Sequence, residues 1–166
     1  MYNMDEIVKK APRSRAPPRP AVVLAPEAPP IVITKRNRVI IAAQDPRPRQ
    51  ADSEKREQER LVAWLRANNI RHHSIPNSAP KDARAGAEFV RSGLVRGVPD
   101  LYVFIPKIGP VAVEMKRANG HTSDVDAAQW EWLEALPDFG FTSAIAFGYH
   151  AAAHLLSDLL ARGIDT

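Results

Sequence analysis

Behind Ser53 the chain opens with a polar turn, Glu54-Lys55-Arg56-Glu57, and then places apolar residues at Leu61, Val62, Trp64 and Leu65. A Ser cap, acidic first-turn residues and that spacing predict a helix over 54–68. At about 100° per residue, Glu54 and Gln58 fall on the stripe of Leu61 and Leu65, whereas Glu57 falls toward its edge. Ile70 to Ile75 reads as a short strand closed by the turn signal Pro76-Asn77, and Asp82 to Ser92 as a helix ending at Gly93. Two β-rich runs follow, Leu101 to Ile105 and Val111 to Lys116, joined by the hairpin-like loop Pro106-Lys107-Ile108-Gly109-Pro110. Ser123 stands as the cap of a helix running to about Leu136, with Val125, Gln129, Trp132, Leu133 and Leu136 on one stripe. Phe141 to Phe147 forms a further strand, and Ala151 to Ala161 a last helix, amphipathic through Leu155, Leu156, Leu159 and Leu160. Helices and strands interleave throughout, the pattern of an α/β fold.

Residues 1–50 read differently. They carry 10 of the 23 basic groups against 4 of the 19 acidic ones, so the excess positive charge behind the net +4 lies entirely in this part. They also hold 9 of the 15 prolines, a density that forbids helix and interrupts sheet. This part is expected to be a largely disordered basic arm, with a strand or short hairpin at 31–42 where Ile31-Val32-Ile33-Thr34 and Val39-Ile40-Ile41-Ala42 flank Lys35 to Arg38. Such an arm suits a polyanion such as DNA, or serves as a solvated linker. Residues 51–166 are expected to form the folded domain. The chain has no Cys, which excludes a disulfide scaffold, a thiol nucleophile and a Cys-ligated metal. No apolar run approaches the ~18 residues of a membrane span, no membrane partner is expected, and the start lacks the order of a signal peptide, so the cytosol is the expected location.

The chemistry concentrates in Gly97-Val98-Pro99-Asp100 and Val113-Glu114-Met115-Lys116. Side chains alternate along a strand, so Glu114 and Lys116 share one face while Val111, Val113 and Met115 share the other. If the two runs pair as a hairpin, Asp100 reaches the same end of the sheet as Glu114. Paired carboxylates suit a hard divalent cation such as Mg²⁺, and a neighbouring lysine can hold or deprotonate an attacking water. An isolated Glu-x-Lys pattern is more often an exposed charge face, so the motif gains its weight from its surroundings. Gly93 to Gly97 lacks the lysine of a phosphate loop, His150 with His154 has no third ligand nearby, and His72 and His73 alternate faces of a short strand, so at most one of them could approach the site.

Those surroundings resemble the VRR-NUC family of the PD-(D/E)xK nuclease superfamily. The matching pieces are Glu54 with Gln58, Ile75-Pro76-Asn77, Gly93 through Asp100-Leu101, Val113-Glu114-Met115-Lys116-Arg117, and Gln129 with Trp132-Leu133. The resemblance implies a restriction-endonuclease-like αβββαβ core with a mixed central sheet flanked by helices, and metal-dependent cleavage of DNA. Carried over residue by residue, Asp100, Glu114 and the Met115 carbonyl become ligands of Mg²⁺ (or Mn²⁺ as a substitute). Glu54 becomes a further acid at the metal edge and Lys116 the water-positioning residue. The inward-facing Gln129 amide needs partners, and is either satisfied by backbone or an accessory site residue beside Lys116 or a phosphate; Asn77 is a turn residue first and a DNA contact second. Small stand-alone members are associated with branched DNA such as Holliday junctions, and with homodimers. The segment Asn119 to Asp126 is longer than the family's Gly-x-x-Ser-x-x-Gln spacing, which leaves the start of the Gln129 helix open. The reading from another class is a non-catalytic DNA-binding or scaffold protein on the same fold.

Overall fold

The β-branched runs beyond Pro30 form a hairpin. In the computed structural model, which describes residues 29–75, 88 and 90–164, β1 (Ile31–Arg36) and β2 (Val39–Gln44) pair antiparallel, with Ile31 opposite Gln44 and Arg36 opposite Val39. β2 continues into a larger sheet by pairing parallel with a strand from the far end of the chain, β6 (Thr142–Phe147). The remaining strands are β3 (Arg71–Ser74), β4 (Leu101–Ile105) and β5 (Gly109–Lys116), and the mixed sheet runs β1-β2-β6-β5-β4-β3. The boundary expected after Gln50 is therefore displaced, because residues 31–44 are part of the sheet and Val39 and Ala42 are fully buried in it. The physical reason lies in the proline spacing: Pro29-Pro30 and Pro46 bracket a β-branched stretch without proline, in which every backbone N–H is available to a ladder. The arm proper, 1–28, lies outside the described residues, as do Pro76-Asn77 and most of the helix expected at 82–92. Of that helix, residues 88, 90 and 91 are helical, and Ser92 N–H bonds to the Glu88 carbonyl at 2.9 Å.

Helices cover both faces of the sheet. On one, α1 (Glu54–Ala67) and α3 (Tyr149–Ile164) pack Leu61, Leu65, Leu155 and Leu156 against Val103, Val111, Val113 and Met115, while Ala144 and Ala146 meet Ala151 and Ala152 and let α3 approach the strands closely. On the other, α2 (Ala127–Ala135) lays Leu133 over Val39, Ile41, Ile145 and Phe147. Each fully buried Leu or Ile contributes about 1.5–3 kcal/mol, and the alternation along β5 and β6 assigns these side chains to their faces.

β4 and β5 form the expected hairpin, antiparallel with Leu101 opposite Val113, although its loop is shorter than expected because β5 begins at Gly109. Turns at Thr122–Asp124 and Leu136–Phe139 bracket α2. The connection from β2 to α1 is tied to the turn that follows β5: Arg47 donates to the Gly120 carbonyl, Asn119 Nδ2 to the Arg49 carbonyl at 3.5 Å, and the Arg47 guanidinium lies 4.4 Å from the centre of the Phe147 ring. The turn of the β1–β2 hairpin is fastened to α2 and its following turn through Asn37 to Glu134 at 2.8 Å and Arg38 to Asp138 at 2.6 Å.

Candidate active site

At the C-terminal end of β5 the strand carries charge into the interior. Glu114 is 1% exposed and Lys116 5%, so the pair is no solvated charge face. Both lie on the α2 side of the sheet, and the Lys116 ammonium donates to Glu114 Oε1 at 2.9 Å. Asp100 immediately precedes β4, and its Oδ2 accepts the Met115 N–H at 2.9 Å, where the β4–β5 ladder has already ended at Leu101 and Val113. The expected juxtaposition of Asp100, Glu114 and Lys116 is therefore present. Burial, then the neighbouring Asp100 charge, push the Glu114 carboxyl up to about 7, against the opposing pull of Lys116. Burial alone would lower Lys116, but Glu114, Glu54 and Asp100 together raise it, so it stands as an ammonium. In that form it can hold a water or a phosphoryl oxygen but cannot take a proton from either.

Gln129 joins this cluster from α2. Its Nε2 donates to the same Glu114 Oε1, while its Oε1 accepts the Asp126 N–H at 3.0 Å. Asp126 in turn caps the helix, Oδ1 accepting the Gln129 N–H at 2.9 Å, a reciprocal capping box. The cap is thus Asp126 and not Ser123, which sits in the preceding turn, Thr122–Asp124. This settles the start of the helix and absorbs the extra length of the segment before Gln129. The Arg96 guanidinium binds Asp126 Oδ2 at 3.1 Å, and the Gln129 N–H, then Arg96, hold the Asp126 carboxyl below its ordinary range. The Arg96 carbonyl accepts the Trp132 indole N–H at 3.2 Å, and Gly97 packs so tightly on α2 that a Cβ there would stand 2.5 Å from the Ala128 backbone. In the sequence, the only signal for Asp126 is the capping-box spacing Asp-x-x-Gln, which the nearby Ser123 masks, and Arg96 has no local signal at all.

The first-helix acids depart from expectation. Glu57 is the buried one, 4% exposed, and its Oε2 accepts the Tyr149 N–H at 2.8 Å; Glu54 is exposed. Periodicity gives the direction of the inward arc but not its width or depth. Trp64 is buried too, which widens the arc to include Glu57, whereas Glu54 occupies the first turn, beyond the packed end of the helix. The clue to Glu57 lies in α3, which begins after Phe147-Gly148 without a Ser, Thr, Asp or Asn to cap it, so the acceptor comes from another helix. Replacing Glu57 with Ala should lower stability by about 2 kcal/mol through loss of this charged hydrogen bond, read from urea denaturation midpoints.

Glu54, Asp100, Glu114, Lys116, Asp126, Gln129 and Arg96 line one cleft of about 420 Å³, with Val90, Leu94 and Val95 on its rim. All five sequence-predicted catalytic residues therefore meet there, with Met115 between Glu114 and Lys116. The Glu114 Oε2 atom is buried and has no hydrogen-bond partner among the described residues. A buried carboxylate oxygen without a donor, beside a second carboxylate, suits a hard cation. No group of at least three His, Cys, Asp or Glu side chains suited to a metal occurs among the described residues, so Glu54 is a neighbour of the carboxylate pair rather than part of one cage. Two carboxylates with remaining positions left to water fit Mg²⁺, which dehydrates reluctantly, and do not fit Zn²⁺. The histidines contribute nothing here: His154 faces Asp158 at 3.6 Å on α3, and burial and Arg60 lower His150.

Residues 42–149 match the family model of the VRR-NUC domain. A solved structure described as "VRR_NUC domain protein" is 21% identical in sequence and superposes with a TM-score of 0.52 over 64% of this chain and 87% of that one, a likeness of fold. No curated protein matches the chain in sequence. None of the helices in the described residues is long and apolar enough to cross a membrane. The family match spans both carboxylates, the lysine and the glutamine that the sheet brings together, and with more than half of the chain covered the protein belongs to the VRR-NUC domain family, whose activity is of the nuclease type.

Proposed function

We propose that the protein is a Mg²⁺-dependent endonuclease that hydrolyses phosphodiester bonds of DNA in this cleft, with a preference for branched duplexes. The observation that carries the reading is the buried, unpartnered Glu114 Oε2 beside Asp100, with Lys116 held against the same carboxylate. Asp100 and Glu114 would hold the cation, joined by the Met115 carbonyl, which in an extended strand points to the same side as the Met115 N–H that Asp100 accepts. When bound, Mg²⁺ would supply charge stabilisation at the phosphoryl oxygen and acidify a coordinated water. Lys116, an ammonium fixed by Glu114, orients the attacking water, and Gln129 holds Glu114 in place. Glu54, at the mouth of the cleft, offers a further carboxylate to the incoming water. Exposed Arg96 on the cleft wall gives a phosphate of a polyanion a counter-charge.

Cleavage assays across linear duplex, flap and four-way-junction DNA, with Mg²⁺ and with EDTA, test this reading. Cutting that needs the metal and favours the junction is the expected result, and absence of cutting on every substrate would overturn it. Glu54→Gln should slow cleavage about tenfold to a hundredfold at unchanged thermal stability, because the residue is exposed and sits beside the carboxylate pair. An unchanged rate would confine the site to Asp100, Glu114, Lys116 and Gln129. A junction has two strands to cut, and a homodimer would supply two clefts; sedimentation of the full chain with and without junction DNA checks that state.

A further inference from the structure

Something must decide which oxygen of Glu114 is left without a partner in the buried cluster. A carboxylate on a strand has freedom at its outer torsions, and Lys116 alone, on a long flexible stem, does not fix it. Gln129 does so more firmly, because both ends of its amide are used. Its Oε1 accepts the Asp126 N–H at 3.0 Å, and a backbone N–H can only donate; the amide therefore has one orientation, with Nε2 toward Glu114 Oε1. The reversed amide would set an oxygen against a carboxylate and a donor against a donor. Asp126 also holds the Gln129 N–H at 2.9 Å and is itself held by Arg96 at 3.1 Å, which pins the helix start against the loop before β4. With Oε1 of Glu114 occupied by Lys116 and Gln129, Oε2 is the atom left for the cleft.

We propose that Asp126 is a positioning residue for Glu114: its carboxylate, bonded to the Gln129 N–H and to Arg96, holds the helix start so that the Asp126 N–H stays on the glutamine amide, and through that amide sets the direction in which Glu114 presents Oε2 to a divalent cation. The inference rests on the cation-binding reading of the cleft and adds to it a residue with no contact to the cation. Its scale is that of other groups that orient a metal ligand from behind, about tenfold to a hundredfold in metal affinity.

The test is Mn²⁺ binding by the full chain without DNA, read from the electron-spin resonance signal of the free ion. Asp126→Ala should weaken binding about tenfold to a hundredfold, and Asp126→Asn, which keeps an oxygen for the Gln129 N–H, should restore it to within about threefold. Gln129→Leu keeps the helix cap but removes the amide and should show the same loss. Adding Asp126→Ala to Gln129→Leu should cost nothing further, since the two act in series. Unchanged binding in Gln129→Leu, multiplying losses in the double variant, or failure of Asn to restore binding at wild-type melting temperature would each overturn the inference while leaving the cation site standing. Wild-type protein that binds no Mn²⁺ would overturn both.

Discussion

Replacing Glu114 with Gln should reduce cleavage by about a thousandfold and at the same time abolish a pH dependence of folding that the wild-type protein shows only without divalent metal. The first effect follows from losing a ligand charge worth several kcal/mol in the transition state. The second follows from linkage. In the folded protein the Glu114 carboxyl titrates near 7, against an ordinary 4.5, because it is buried beside Asp100. Between those values the folded form retains a proton that the unfolded chain has released, so stability falls as pH rises from about 4.5 to about 7 and stays low above that. The full decline is about 3 kcal/mol at most, from the separation of the two values at about 1.36 kcal/mol per unit. Gln has no proton to lose there, and Glu114→Gln should melt at a temperature that does not fall across this window. Mg²⁺ at saturating concentration should flatten the wild-type curve in the same way, since a cation replaces the proton as partner of Oε2. Urea midpoints at pH 5 and pH 8, with Mg²⁺ and with EDTA, check all of this. A wild-type curve that rises toward pH 8 without metal would contradict the burial-driven shift.

Truncation should separate the two roles that composition merges into one arm. Removing residues 1–28 takes away Lys9, Lys10, Arg13, Arg15 and Arg19 and leaves every strand of the sheet, so the shortened protein should melt cooperatively near the wild-type temperature. Its DNA affinity should fall less steeply with salt, by about 0.9 in the log-log slope for each phosphate that the arm neutralises in the full chain. Removing residues 1–44 is a different operation. It strips β1 and β2, exposes the edge of β6 and uncovers the layer in which Val39, Ile41, Ile145 and Phe147 pack together. Loss of buried residues such as Val39 and Ile41 at about 1.5–3 kcal/mol each exceeds what a domain of this size can spare, and the product should not fold. Circular dichroism of both proteins decides it, and a folded 45–166 fragment would show that the hairpin is an ornament on the sheet.

How far the sequence discloses this arrangement depends on what each signal measures. The hairpin of β4 and β5 and the meeting of Asp100, Glu114 and Lys116 are legible because alternation along a strand fixes the faces, and pairing fixes which ends coincide. The Gln129 stripe is legible for the same reason in a helix. Glu54 and Glu57 are not separable, since helical phase tells which way a side chain points and not whether another element waits there; only α3, 92 residues on from Glu57, supplies the answer. The hairpin of β1 and β2 is expected from its β-branched runs but falls outside the domain by composition, because charge and proline counts average over a window and β2 finds its partner β6 about a hundred residues further along the chain. Asp126 is hidden as a cap because Ser123 offers an equally good local start, and the choice between them is made by the fit of α2 against Glu114 and the Arg96 loop.

The antiparallel sense of β1 has a bearing on how DNA would meet the protein. β2, β6 and β5 run parallel, with Glu114 and Lys116 near the finish of β5, and Ile31 lies level with Gln44 at the finish of β2. Pro30 is anchored at that level by its carbonyl, which accepts the Asp45 N–H at 3.0 Å. The chain therefore enters the sheet at Pro30 from the rim that carries Glu114 and Lys116 and not from the opposite rim, at a lateral offset of three strand spacings, about 14 Å. A basic tail rooted there would start beside a duplex held in the cleft, and its cations would then add to the same binding event rather than recruit a second DNA molecule behind the sheet.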